Sequence, residues 1–210
     1  MVKSQPPSSS APVVVSRTTL IPGPKYSYER LTIEGPTGER RTRDIINHPG
    51  AVVVVAVLDP PDGRLVLIRN FRHAVERGGA WVLECCAGTL DKPGEDPADC
   101  AARELIEETG YRADSIKPLM PTASGDAGSF YTTPGLTSEK MFPFIATGLT
   151  HTGQALEEGE TIDVVLMTPA QVAAAIDGDP AATGAAGLPM IDGKSLVALA
   201  LATRRGFVRI

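Results

Sequence analysis

The chain has 210 residues, 42% hydrophobic and 21% charged, with a formal net charge of −5. That is enough apolar material for a sizeable core, and it includes neither the basic face that binding nucleic-acid phosphates requires nor a run of about 20 apolar residues able to span a bilayer. Three cysteines, two of them adjacent at Cys85 and Cys86, indicate neither a disulfide framework nor a zinc site. With no apolar signal core at the start either, the expectation is a soluble protein of a reducing compartment, most simply the cytoplasm.

Residues 1–15 are rich in Ser and Pro and are expected to form a flexible tail. Over 16–48, VSRTTLI, YSYERLTIE and ERRTRDIIN, with GPTG between the last two, read as a small antiparallel sheet with a hairpin. The remainder, 49–210, reads as one larger domain. Its first strand, AVVVVAVLD, is an almost unbroken β-branched run, which suits a central strand covered on both faces. A PPDG turn leads to a second strand, RLVLIRNF, followed by Arg72 and His73. In the next run, AWVLECCAG, an extended backbone would point Cys85 and Cys86 to opposite faces.

The stretch from Gly88 to Tyr111 is the most informative. Asp96 suits an N-cap, Pro97 the first helical turn and Gly110 a left-handed C-cap, so a helix is expected between them. Ala98, Ala101, Ala102, Leu105 and Ile106 supply its apolar face. At about 100° per residue, Glu104, Glu107 and Glu108 fall within one narrow arc. Like charges at that spacing destabilise a helix by a few tenths of a kcal/mol per pair. Either the face is merely solvated, helped by an Arg103 to Glu107 pair, or the carboxylates serve a hard divalent cation, with Glu95 delivered by the preceding polar loop.

Beyond the helix, ADSIKPLM reads as a strand, TASGDAGS as a flexible connector and FYTTPGLTSEKMFPFIATGL as a Pro-Gly turn and another strand. Glu157, Glu158 and Glu160 lie in a loop before an apolar strand. Pro169 to Ile176 reads as a short helix, GDPAATGAAGLP as a flexible bridge and KSLVALALATRRG as a closing amphipathic helix.

The segment around the acidic helix resembles the Nudix box: Gly, five spacers, Glu, seven spacers, then Arg-Glu-U-x-Glu-Glu-x-Gly-U, where U is bulky and apolar. The matching residues are Gly88, Glu95, Arg103, Glu104, Leu105, Glu107, Glu108, Gly110 and Tyr111, with six spacers after Gly88 and an aromatic last position as departures. The extra residue precedes the helix, so the register of its charges is unaffected. The strands before the box and the proline downstream of it resemble the ADP-ribose pyrophosphatase branch of that family.

The resemblance implies an α/β fold, an α/β/α sandwich around a mixed sheet, preceded by the small antiparallel sheet. It implies Mg²⁺, with Mn²⁺ as a substitute, held by Glu104, Glu107, Glu108 and the Ala87 carbonyl, and Arg103 bracing the box against Glu95. It makes Arg72, Glu84 and Glu139 candidate substrate contacts, with an interface role as the alternative for Glu84. It makes Glu158 the first choice for activating water, with Glu157 and Glu160 as rivals. The implied reaction is hydrolysis of a nucleoside diphosphate sugar, ADP-ribose before a UDP-sugar, GDP-mannose or a dinucleoside polyphosphate, by a homodimer paired through the N-terminal strands. A catalytically silent binding module is the reading from another class. For base stacking, Tyr26, Tyr28 and Phe71 are available, though aromatics in strands are more often core.

Overall fold

The structure, a computed structural model, describes residues 11–59 and 63–210. In chain order it contains β1 (Val13–Pro22), β2 (Ser27–Glu34), β3 (Arg40–Asn47), β4 (Ala51–Val57), β5 (Leu65–Arg72), β6 (Ala80–Glu84), β7 (Cys86–Thr89), α1 (Pro97–Thr109), β8 (Tyr111–Pro118), β9 (Phe130–Tyr131), β10 (Lys140–His151), β11 (Ile162–Met167), α2 (Pro169–Ile176) and α3 (Gly193–Arg204). These fall into two units: residues up to Pro49 with Thr133–Glu139, and Gly50–Thr132 with Lys140–Ile210.

The first unit is an antiparallel sheet in the order β1-β2-β3. Strand β1 starts at Val13, so Val13, Val14 and Val15, assigned above to the tail, lie in that strand, Val13 and Val14 paired with β2 and Val15 at a shift of register. Three successive β-branched residues favour the extended backbone over coil. The rest of the expected tail, residues 1–10, lies outside the described residues. Segment 133–139 joins this unit because the Ile46 N–H donates to Leu136 O at 2.9 Å and the Ser138 N–H to Ile46 O at 3.0 Å.

In the second unit the main sheet runs β11-β5-β4-β10-β8, with β6 on β5, β7 on β4 and β9 on β10. The β-branched run is central: β4 pairs in parallel with β10 and antiparallel with β5 and β7. Its alternate residues feed two cores. Ala51, Val53 and Val55 pack with Val172 and Ala175 of α2 and Ala198, Leu199 and Ala202 of α3. Val52, Val54 and Ala56 pack with Cys100, Ala101 and Leu105 of α1. Helices therefore cover both faces, and burial near 0% from Val52 to Val55 explains why the run is continuously apolar rather than alternating. Cys85 and Cys86 fall in opposite cores, as alternation requires.

Two connectors expected to be flexible are ordered. The TASGDAGS segment closes a turn, with the Thr122 N–H donating to Asp126 O at 2.9 Å and Ser124 Oγ to the Asp126 carboxylate at 2.6 Å. The GDPAATGAAGLP bridge packs inward: Thr183 and Ala186 are buried, and just beyond it the Met190 N–H donates to Ala175 O at 2.7 Å. Its small residues lowered its hydropathy signal but allow close backbone approach. Of the PPDG turn, Pro60, Pro61 and Asp62 lie outside the described residues.

Candidate active site

Helix α1 forms as its punctuation implies. The Asp96 carboxylate accepts from the Ala98 N–H at 2.8 Å, and Gly110 takes φ 74° while its N–H reaches Ile106 O. Cys100, Ala101 and Leu105 anchor one face in the core, which turns the acidic arc toward β7. There Glu108, only 3% exposed, accepts from the Ala87 N–H at 2.9 Å. The Glu104 carboxylate occupies the space above Gly88, where an added Cβ would lie 1.8 Å from Glu104 Cδ. Any side chain at position 88 would displace it.

Arg103 is the counter-cation of this group. Its Nε and NH2 fork onto Glu95 at 2.9 and 3.1 Å, while NH1 meets Glu104 at 2.7 Å and Glu107 at 2.8 Å. Both pairings foreseen for Arg103 are present together. Its planar donors suit this splayed arrangement, which a lysine ammonium could not reproduce.

Burial pushes the Glu104 carboxyl up to about 7, against the pull of Arg103, and Glu107 and Glu160 add to the rise. Burial likewise pushes Glu108 up to about 7, with the Ala87 N–H and the Cys86 thiol opposing and Glu104 and Glu160 adding. Two desolvated carboxylates thus share one place with less positive charge than they need. Among the described residues no three His, Cys, Asp or Glu side chains already converge on a single point. The donors are nevertheless hard oxygens on a rigid helix, the type a Mg²⁺-sized cation takes.

The loop before β11 is tied to the end of α1. The Thr152 N–H donates to Gly110 O at 2.7 Å and the Ala155 N–H to Glu107 O at 3.0 Å. Gln154 Nε2 bridges Glu108 O at 2.6 Å and Ile162 O at 3.4 Å, joining the helix to both ends of the acidic loop. Within that loop the Glu160 carboxylate accepts from the Glu157 N–H at 2.9 Å. All three loop glutamates are exposed, and the charge of Glu160 is among those that raise Glu104 and Glu108.

A family model described as NUDIX domain matches residues 48–185. The chain belongs to that family. It is 37% identical over 138 residues to the ADP-ribose pyrophosphatase of Bacillus subtilis (strain 168), covering 65% of this chain and 67% of that protein. It is 36% identical over 138 residues to the methanol dehydrogenase activator of Bacillus methanolicus, with the same coverage of 65% and 67%. The solved structure of an ADP compounds hydrolase superposes with a TM-score of 0.72 at 22% identity, over 96% of this chain and 98% of that one, a likeness of fold.

Beside the Nudix helix lies a second charged group. Arg72, at the end of β5, uses Nε and NH2 on the two oxygens of Glu84, at 2.6 Å each. Glu84 is 1% exposed and takes a further bond from Lys194 Nζ, so it supports Arg72 from inside the protein, not as an exposed substrate contact. Lys194 also donates to the Asp192 carboxylate at 2.9 Å, which in turn caps α3 by accepting from the Ser195 N–H and Oγ. Ser195 Oγ accepts from the Cys85 N–H at 2.8 Å, at the junction between β6, which pairs with β5, and β7, which pairs with β4.

The remaining residues singled out above have the following partners. Glu139 belongs to the N-terminal unit and pairs with His48 at 3.6 Å, where His48 also stacks on Tyr26 at 4.8 Å. The Tyr28 hydroxyl donates to Asp44 at 3.1 Å, and Phe71 meets His73 and Trp81 edge-on. Sequence reasoning did not single out Asp192, Lys194, Ser195 or Gln154. Asp192 three residues before Ser195 is a readable N-cap signal, but the partners of Lys194 and Gln154 lie 110 and 46 residues away, beyond any local pattern.

Proposed function

We propose that the protein hydrolyses the pyrophosphate bond of a nucleoside diphosphate sugar, with ADP-ribose yielding AMP and ribose 5-phosphate. The observation that carries this reading is the placing of buried Glu108 on the Ala87 N–H and half-buried Glu104 over Gly88, on a helix whose charges match the Nudix box. The 37% identity to an ADP-ribose pyrophosphatase supports the choice of sugar nucleotide.

Glu104 and Glu108, with Glu107 and the Ala87 carbonyl, would hold divalent ions, Mg²⁺ before Mn²⁺. When bound, these ions neutralise the diphosphate and make a coordinated water more acidic. Arg103 keeps Glu95, Glu104 and Glu107 from repelling one another while the site is being filled. Arg72 presents its remaining guanidinium edge to a phosphate oxygen, a role suited to a planar fork. Glu160 takes the proton of the attacking water. It is preferred to Glu158 because its carboxylate is held in place by the Glu157 N–H and its charge is among those acting on Glu104 and Glu108.

A homodimer formed through the N-terminal sheet is part of the reading. Its support is β1, exposed along its whole length with Val13 at 62% and Ile21 at 64%, an edge strand that apolar pairing would cover. No described helix is long and apolar enough to cross a membrane, and a cytoplasmic location is the simplest one for an enzyme of this substrate class.

The test is a panel of ADP-ribose, UDP-glucose, GDP-mannose and a dinucleoside polyphosphate, assayed for phosphatase-releasable phosphate with and without Mg²⁺. Turnover of ADP-ribose above the others, dependent on the ion, is expected. Binding of the panel with no turnover would favour a silent binding module instead.

A further inference from the structure

The charged tetrad built on buried Glu84 contains a cation that no step above uses. Arg72, Glu84, Asp192 and Lys194 carry two positive and two negative charges, so the group as a whole is neutral. Its members are not equivalent. Glu84 is 1% exposed and the Lys194 side chain 13%, whereas the Arg72 side chain is 41% exposed. Arg72 is therefore the member that faces outward, with Nε and NH2 committed to Glu84 and no partner for NH1 among the described residues.

The strand connection places this pair next to the box. Glu84 ends β6, and β7 follows at once with Ala87, whose N–H is bonded to Glu108; the Glu108 charge is among those acting on Arg72. At Lys194, burial pulls the ammonium down but the charges of Glu84 and Asp192 more than offset it, so the net shift is upward and the lysine stays charged. Without Lys194, the carboxylates of Glu84 and Asp192 would together outweigh the Arg72 charge. With Lys194 also on Glu84, and Asp192 held by the N-terminus of α3, whose backbone dipole favours an anion there, the outer guanidinium keeps a positive field.

We propose that Lys194 is a positioning residue for substrate binding: its buried ammonium balances Glu84, so that Arg72, fixed in orientation by the same carboxylate, retains its charge for the substrate's diphosphate. This rests on the reading in which Arg72 meets a phosphate oxygen. It assigns a part in diphosphate affinity to the closing helix, 86 residues beyond the last glutamate of the box.

The test compares wild type, Lys194→Met and Asp192→Asn/Lys194→Met. The single variant leaves the group one charge negative, whereas the double variant restores neutrality and keeps the Glu84 fork on Arg72, with Asn still able to cap α3. In Lys194→Met, KM for ADP-ribose should rise about tenfold with kcat within about twofold, and affinity for Mg²⁺-pyrophosphate by calorimetry should fall in parallel. In the double variant both should return to within about threefold of wild type. A purely structural lysine would give a double variant no better than the single one, and that result overturns the proposal, as does an unchanged KM in Lys194→Met. Should Lys194→Met not fold, the double variant decides alone: wild-type-like pyrophosphate affinity supports the inference, and loss of it overturns it. If the wild type fails to hydrolyse ADP-ribose, the proposed activity is wrong, while the pyrophosphate titrations still decide the role of Lys194.

Discussion

Replacing Glu108 by Gln should make the metal-free protein more stable while abolishing its activity. Glu108 is 3% exposed, and its carboxyl is pushed up to about 7 chiefly by burial. A carboxyl whose folded value lies above its unfolded one disfavours the charged form in the fold. Its destabilising effect is absent below the unfolded value, grows as pH rises, and is complete above about 7. At about 1.4 kcal/mol per tenfold, the gap amounts to about 3 kcal/mol at pH 8. A glutamine of the same shape escapes that cost but weakens the 2.9 Å bond from the Ala87 N–H, which gives back about 1 kcal/mol. The net is about 2 kcal/mol, or about 4–8 °C in Tm for a chain of this length. Thermal melts in EDTA should therefore show Glu108→Gln above wild type at pH 8, with the two converging near pH 5. With Mg²⁺ the order should reverse, because only the wild type gains from binding. A variant that melts at or below wild type in EDTA at pH 8 would refute the claim that this carboxylate is desolvated and undercompensated.

Two further outcomes are expected. Arg103→Ala removes the cation shared by Glu95, Glu104 and Glu107, and in EDTA it should cost about 2–4 kcal/mol in urea unfolding, below the value for fully buried pairs because each carboxylate keeps some solvent. Saturating Mg²⁺ should recover part of that loss, and a variant as stable as wild type would show that the four bonds contribute little. In the loop, Glu160→Gln should lower kcat by about 10²-fold or more with Mg²⁺ affinity little changed, while Glu158→Gln stays within about twofold of wild type; the opposite ranking would return the proton-accepting role to Glu158.

The box was readable because its information is local. Asp96, Pro97 and Gly110 set the ends of α1 through backbone geometry, and a period of 3.6 residues then gathers Glu104, Glu107 and Glu108 whatever surrounds them. The two-faced burial of β4 was readable for the same reason, since its β-branched run has no polar side to offer solvent. Pairing across long separations was not. No local pattern ranks Glu157, Glu158 and Glu160, because the loop that carries them is placed by bonds from Gln154 and its neighbours to the last turn of α1. The change of Glu84 from expected substrate contact to internal support depends on a lysine 110 residues later. Sequence by itself determined which groups carry charge and which helix presents them. Only the tertiary structure decided which charges are desolvated and which cation answers each one, because solvent exclusion and partner distance belong to the packed chain and to no segment of it.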